Sequence, residues 1–132
     1  MHPGTGDVWW LTMPTVNTEA FSIALSEFAA YTGAGPELRV VLVVDGAGWH
    51  VSKDLEVPEG IHLCFLPPYS PELQPAEHLW PMVNEELANR SFESLDELEE
   101  VALQRCRRLR NDPEAISNAT MFHWWREIDA AP

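Results

Sequence analysis

Lysine is nearly absent: Lys53 is the only one in 132 residues, and 21 acidic side chains outnumber 8 basic ones, for a formal net charge of −13. Duplex DNA is held mainly through Lys and Arg contacts to phosphate, so a chain this acidic does not grip a nucleic-acid backbone unaided. Cysteine is equally sparse. Cys64 and Cys106 lie far apart and form no CxxC pair, and each sits in an apolar pattern, which reads as buried reduced thiols rather than a disulfide. No apolar run is long enough to span a bilayer. Met1 to Gly6 lacks the basic start and apolar stretch of a secretory signal, so a cytoplasmic, membrane-free protein is expected. Internal repeats and low-complexity linkers are also missing. At this length the chain is expected to form one domain, 1-132, and its 45% hydrophobic content is enough to build a core.

The residues that are present alternate between the two hydrophobic periods. Asp7 to Met13 (DVWWLTM) is aromatic and β-branched and stops at Pro14, as a short strand would. From about residue 18 to 32, Phe21, Ala24, Leu25, Phe28 and Ala29 recur at helical spacing behind Asn17 or Thr18, either able to cap, until Gly33 and Gly35 end the pattern. Arg39 to Asp45 (RVVLVVD) is a β-branched run suited to a parallel strand covered on both faces, and Ile61 to Leu66 (IHLCFL) reads as another.

Four prolines in Pro67 to Pro75 (PPYSPELQP) dictate a stiff loop. A helix is expected from Pro75 to about Asn89, kinked at Pro81, with Leu79, Trp80, Val83 and Leu87 on its apolar stripe. A capping-box pattern at Ser94 to Glu97 opens a helix over about 95-110, and Asp112-Pro113 opens another over about 113-128, whose Ile116, Phe122, Trp124, Trp125 and Ile128 pack on the core. Arg105, Arg107, Arg108 and Arg110 read as a solvated face complementing the helix dipole rather than as a DNA-binding patch.

Two acids stand out by position. Asp45 ends a buried strand, and Glu77 begins the helix after the proline loop, 77 − 45 = 32 positions later. Ligands of open α/β sheets bind beyond the carboxyl ends of the strands, which both acids can reach. Carboxylates meeting there repel each other unless a divalent cation lies between them, and hard oxygen donors suit Mg²⁺ or Mn²⁺ rather than zinc. Such ions serve phosphoryl transfer. Spacing alone leaves the ordinary reading open, in which Glu77 is simply an acid near a helix N-terminus. His50 as an isolated loop residue reads as solvated or capping, His78 as structural, and the other histidines show no zinc spacing.

VVLVVDGAGWH, from Val40 to His50, and LPPYSPELQPAEHLWP, from Leu66 to Pro81, together resemble the second and third acidic motifs of mariner-like, DDE-superfamily insertion-sequence transposases. The resemblance runs from about Gly6 to Arg110. It implies that Asp45 and Glu77 are the second and third members of the DDE triad and metal ligands, with His50 orienting substrate or bound water and Trp49 packing beneath the site. Gly46 and Gln74 stand where the family often has Asn, and the two acids are somewhat closer in sequence than is commonest.

The implied fold class is α/β, an RNase H-like mixed sheet flanked by helices. It is truncated here, because the first two strands, and with them the first Asp, are missing. Asp7 begins the wrong strand to replace that Asp. The family resemblance further implies a pair of Mg²⁺ or Mn²⁺ ions in the complete enzyme and DNA transposon ends as substrate, reached through the full-length protein. The missing N-terminal part or another transposase chain would be a partner, and the working enzyme would associate with the bacterial nucleoid. The alternative is a non-catalytic interaction module, or a regulatory or remnant fragment, that associates with full-length transposase.

Overall fold

A computed structural model describes residues 1-122 of the chain. These divide into two compact units, Leu11–Gln74 and Met1–Trp10 together with the chain from Pro75 onward. The described residues form a mixed α/β structure of four α-helices and a two-stranded parallel sheet, and none of the helices is long and apolar enough to cross a membrane.

In the Leu11–Gln74 unit, helix α1 spans Thr18–Thr32. Asn17 caps it by accepting the Ala20 N–H at 2.8 Å, and Gly33 ends it in the left-handed region at φ 75°. Strands β1 (Val40–Val44) and β2 (Ile61–Phe65) pair in parallel with Val40 opposite Ile61 and Val44 opposite Phe65. Leu25 and Ala29 of α1 pack on Ile61, joined by Phe21, Phe28, Val40, Leu42 and Leu63. Side chains alternate across a strand, so these residues share one face of the sheet.

The other face differs from the sequence expectation. The VVLVV run reads as covered on both sides, yet Val41 is 67% exposed and Val43 is exposed as well. Cys64, opposite Val43, is also exposed rather than buried. The reason is compositional: a β-branched run records strand propensity and the wish for two covering layers, but among the described residues only α1 supplies one.

Asp7 to Met13 is not a strand in the structure. Among the described residues the sheet contains β1 and β2 alone, so this segment has no ladder to join there. Its apolar side chains go into packing instead: Val8 is buried in the core of the helical unit and Trp10 lies against that core.

That core joins Val8, Leu79, Val83, Leu109 and Ile116. The helix expected from Pro75 to Asn89 is broken into a 3₁₀ turn at Pro75–His78 and a short helix α2 at Trp80–Asn84. Pro81 explains the break. It has no N–H to give the Glu77 carbonyl, so the chain tightens into a 3₁₀ turn, with Leu79 N–H bonded to Ala76 C=O at 3.0 Å, and Pro81 occupies the first turn of a new helix. Helix α3 spans Leu95–Arg110, capped by Ser94 Oγ accepting the Glu97 N–H at 3.2 Å, while Glu97 reaches back to the Glu93 N–H at 2.8 Å.

Helix α4 spans Pro113–Thr120, with Asp112 accepting the Ala115 N–H at 3.1 Å. It ends earlier than residue 128, because Met121 is already extended. Trp124, Trp125 and Ile128 lie outside the described residues. Arg105 fastens α3 to α2, donating to Met82 C=O at 2.8 Å and to the carboxylates of Glu85 and Glu86. Arg108 also pairs with Glu86 at 2.7 Å, and Arg107 approaches Glu100 at 4.0 Å.

Candidate functional site

Asp45 follows the last residue of β1, where Leu66 N–H still bonds Val44 C=O at 3.0 Å and extends the parallel pairing to the strand end. Gly46 and Ala47 then turn the chain. Asp45 Oδ1 accepts the Ala47 N–H at 3.1 Å, a side chain imitating a backbone turn, and His50 N–H closes the next turn on Ala47 C=O at 2.9 Å. This folds His50 back onto Asp45.

The imidazole Nδ1 lies 2.7 Å from Asp45 Oδ1 and 3.1 Å from the Asp45 backbone carbonyl. Its ring centroid is 4.3 Å from that of Phe21 on α1, and Trp49 meets it edge-on at 5.8 Å. The His50 side chain retains 15% of its accessible surface and the Asp45 side chain 56%. The structure therefore brings two of the three sequence-derived site residues together, one sequestered and one open.

Glu77, the third, belongs to the other unit, in the 3₁₀ turn Pro75–His78. It is exposed. Its neighbour His78 has the structural role expected of it: Nδ1 donates to Ala119 C=O at 3.1 Å and the ring stands edge-on to Phe122 at 5.3 Å, fastening the turn to α4. The proline segment before it carries a single 3₁₀ turn, Pro71–Leu73, and holds the fully exposed Tyr69 at φ 58°.

The donor chemistry suits a hard divalent cation. Asp45 Oδ1 accepts the Ala47 N–H and lies 2.7 Å from His50 Nδ1, while Oδ2 accepts from none of the described residues, and both carboxylates are exposed, so either can give an oxygen without breaking an ion pair to Lys or Arg. Among the described residues, no three His, Cys, Asp or Glu side chains form a metal-ligating cluster. Arg105 and Arg108 of α3 offer no ready phosphate site, since Glu85 and Glu86 engage the first and Glu86 the second.

Sequence reading missed Phe21 as a site neighbour. Helical periodicity marks it as a core residue and carries no sign that its ring also walls His50. It also missed the Ala47 N–H, because a backbone donor leaves no trace in residue identity; only the small residues after Asp45 suggest a tight turn.

Comparison with known proteins gives two matches. Residues 1–99 match the DDE superfamily endonuclease family. A protein of Sinorhizobium fredii called "Uncharacterized protein y4pE/y4sA" is 35% identical over 123 residues, covering 92% of this chain and 90% of that protein. No solved structure matches the chain. With the family match spanning both motif blocks that hold Asp45 and Glu77, the chain belongs to the DDE superfamily endonucleases.

Proposed function

We propose that this chain supplies the part of a mariner-type transposase catalytic domain that bears the second and third acids of the triad, Asp45 and Glu77. The complete enzyme would cut DNA and transfer strands by phosphoryl transfer, in the cytoplasm, at the ends of an insertion sequence. The observation that carries the reading is Asp45 itself: an exposed carboxylate immediately beyond the carboxyl end of a parallel strand, with one oxygen fixed and the other uncommitted. That is where open α/β sheets place their ligand crevice.

Bound Mg²⁺ or Mn²⁺ supplies activation of the attacking oxygen and stabilisation of the leaving one. In this chain, Asp45 and Glu77 provide the oxygens that would hold such ions. Asp45 stands at the turn closed on the Ala47 N–H, and Glu77 stands in the 3₁₀ turn Pro75–His78. The parallel pair β1–β2 would be the second half of an RNase H-like sheet. The first acid of the triad and the strand that bears it would come from residues outside this sequence or from another transposase chain.

Iron-directed cleavage tests the pairing of the acids directly. Fe²⁺ with ascorbate and peroxide, added to the full chain, should cut the backbone near both Asp45 and Glu77, and either Asp45→Asn or Glu77→Gln should abolish both sets of cuts. Cutting confined to one segment, or surviving either substitution, refutes a shared ion.

A second reading, the non-catalytic interaction module, is favoured by one observation. Among the described residues β1 pairs on one edge only and exposes Val41 and Val43, and unpaired strand edges recruit other chains. Co-purification with a full-length transposase, undiminished by Asp45→Asn, would support that role over the catalytic one.

A further inference from the structure

Both atoms that Nδ1 of His50 touches, a carboxylate oxygen at 2.7 Å and a backbone carbonyl oxygen at 3.1 Å, can only accept. The proton must therefore sit on Nδ1. We propose that His50 is a positioning residue for Asp45: its Nδ1–H is bonded to the Asp45 backbone carbonyl and Nδ1 stands 2.7 Å from Oδ1, which keeps that oxygen against the ring and leaves Oδ2 to face a ligand. His50 acts through Asp45 rather than on the substrate. The metal half of this inference rests on the proposed function above, whereas the hydrogen bond does not.

Three features make the arrangement a device rather than a chance contact. The ring is confined by Phe21 at 4.3 Å and Trp49 at 5.8 Å, so Nδ1 is aimed by packing on a helix and not by the loop alone. Oδ1 accepts the Ala47 N–H at 3.1 Å, and that bond together with the imidazole beside it fixes the plane of the carboxylate. The exposures are unequal, 15% for the His50 side chain against 56% for Asp45, as expected where one group supports and the other presents itself. Groups that orient a metal ligand through a hydrogen bond contribute about 10–100-fold to metal affinity.

The test combines imidazole NMR of the metal-free chain with Mn²⁺ binding followed by electron paramagnetic resonance. In mildly alkaline buffer the His50 ring should be the Nδ1–H tautomer, and its Nδ1 proton should shift in Asp45→Asn as the carboxylate 2.7 Å from Nδ1 loses its charge. An Nε2–H tautomer, or a proton indifferent to Asp45→Asn, overturns the inference.

For Mn²⁺, His50→Phe keeps the packing on Phe21 and loses the donor, so affinity should fall about 10-fold or more. His50→Asn places an amide N–H near the position of Nδ1 and should recover most of that loss. If His50→Phe binds Mn²⁺ as the wild type does, His50 merely packs and the positioning role is refuted. If Asp45→Asn leaves Mn²⁺ binding intact, the metal reading of Asp45 fails instead, and the hydrogen bond stands or falls by the NMR result.

Discussion

Gly60 is where a single methyl group should do the most damage to the sheet that carries Asp45. Its φ is +86°, and a Cβ built there falls onto the backbone nitrogen of Gly35, with the carbonyl oxygen of Gly35 at 2.7 Å and its Cα at 2.8 Å. Gly60→Ala thus combines two costs: about 1–2 kcal/mol for holding an L-residue in left-handed backbone, and about 1–3 kcal/mol for relieving the overlap. The overlapped atoms are backbone, so no side-chain rotation relieves them. The sum, about 2–5 kcal/mol, is a large share of the roughly 5–15 kcal/mol available to a whole domain. Because Val40 N–H bonds Gly60 C=O at 2.8 Å, any shift also displaces the start of β1 and, along it, Asp45. Gly46→Ala is the control. Its φ is not positive and a Cβ there meets nothing within 4 Å, so it should be neutral or add about 0.4–1 kcal/mol through the unfolded chain. Urea unfolding followed by far-ultraviolet circular dichroism should show a marked loss for Gly60→Ala and none for Gly46→Ala; equal midpoints for the two variants would refute the reasoning.

Arg105 should be the side chain on which the α2–α3 contact depends, since it satisfies Met82 C=O and two carboxylates while its own side chain is only 17% exposed. Arg105→Ala should cost about 1.5–3 kcal/mol in urea unfolding, and Arg105→Lys should recover less than half, because an ammonium cannot span three acceptors in a fork. The two thiols should separate in alkylation followed by mass spectrometry: exposed Cys64 modified rapidly, Cys106 slowly, because burial pushes the Cys106 thiol up. The sign follows from the folded chain holding that proton longer than the unfolded one. The stability this contributes is complete below the ordinary thiol range and is lost as pH rises through the raised value, so Cys106→Ala should flatten the alkaline fall in stability. On the sheet, Leu25→Ala should cost about 2–5 kcal/mol at a site 1% exposed. Val41→Thr should stay within about 0.5 kcal/mol, and a loss as large as that of Leu25→Ala would show that the exposed face is covered in solution.

Local signals were read correctly where a residue acts on its own neighbours. Asn17, Ser94 and Asp112 start their helices as N-caps because each competes for one backbone N–H a few residues on, a contest settled within one turn. The β-branched runs became β1 and β2 nearly to the residue. Errors came where the outcome depended on a distant partner. DVWWLTM has the residues of a strand but no ladder to join among the described residues, and Val8 earns more by burial in the helical core. Pro81 acts locally, yet residue type says only that the bond to Glu77 C=O is lost and not whether the helix kinks around the proline or starts afresh, as it does here. At the site, the sequence named Asp45 and His50 and did not reveal that Nδ1 and Oδ1 would meet, since that contact depends on two consecutive turns and on Phe21 from α1.

The acidity of the chain sets a physical condition on any nuclease role. A phosphodiester approaching an exposed carboxylate at about 4 Å meets a repulsion of roughly 1 kcal/mol in bulk water and about 4 kcal/mol at an effective dielectric constant of 20, and the formal net charge of −13 adds a long-range field of the same sign. The chain has few cations with which to offset this. Of its 8 basic residues, Arg105 and Arg108 are held by Glu85 and Glu86, and Arg107 lies near Glu100. Releasing them to contact DNA would leave those carboxylates uncompensated and weaken the α2–α3 contact at the same time. On the proposed function, positive charge from outside the chain would offset this: divalent ions at the acids, and Lys or Arg from a partner polypeptide. Binding of DNA by such an assembly should weaken with salt in proportion to the partner's phosphate contacts, so Arg107→Ala in this chain should leave the salt dependence unchanged, whereas removing cations from the partner should flatten it.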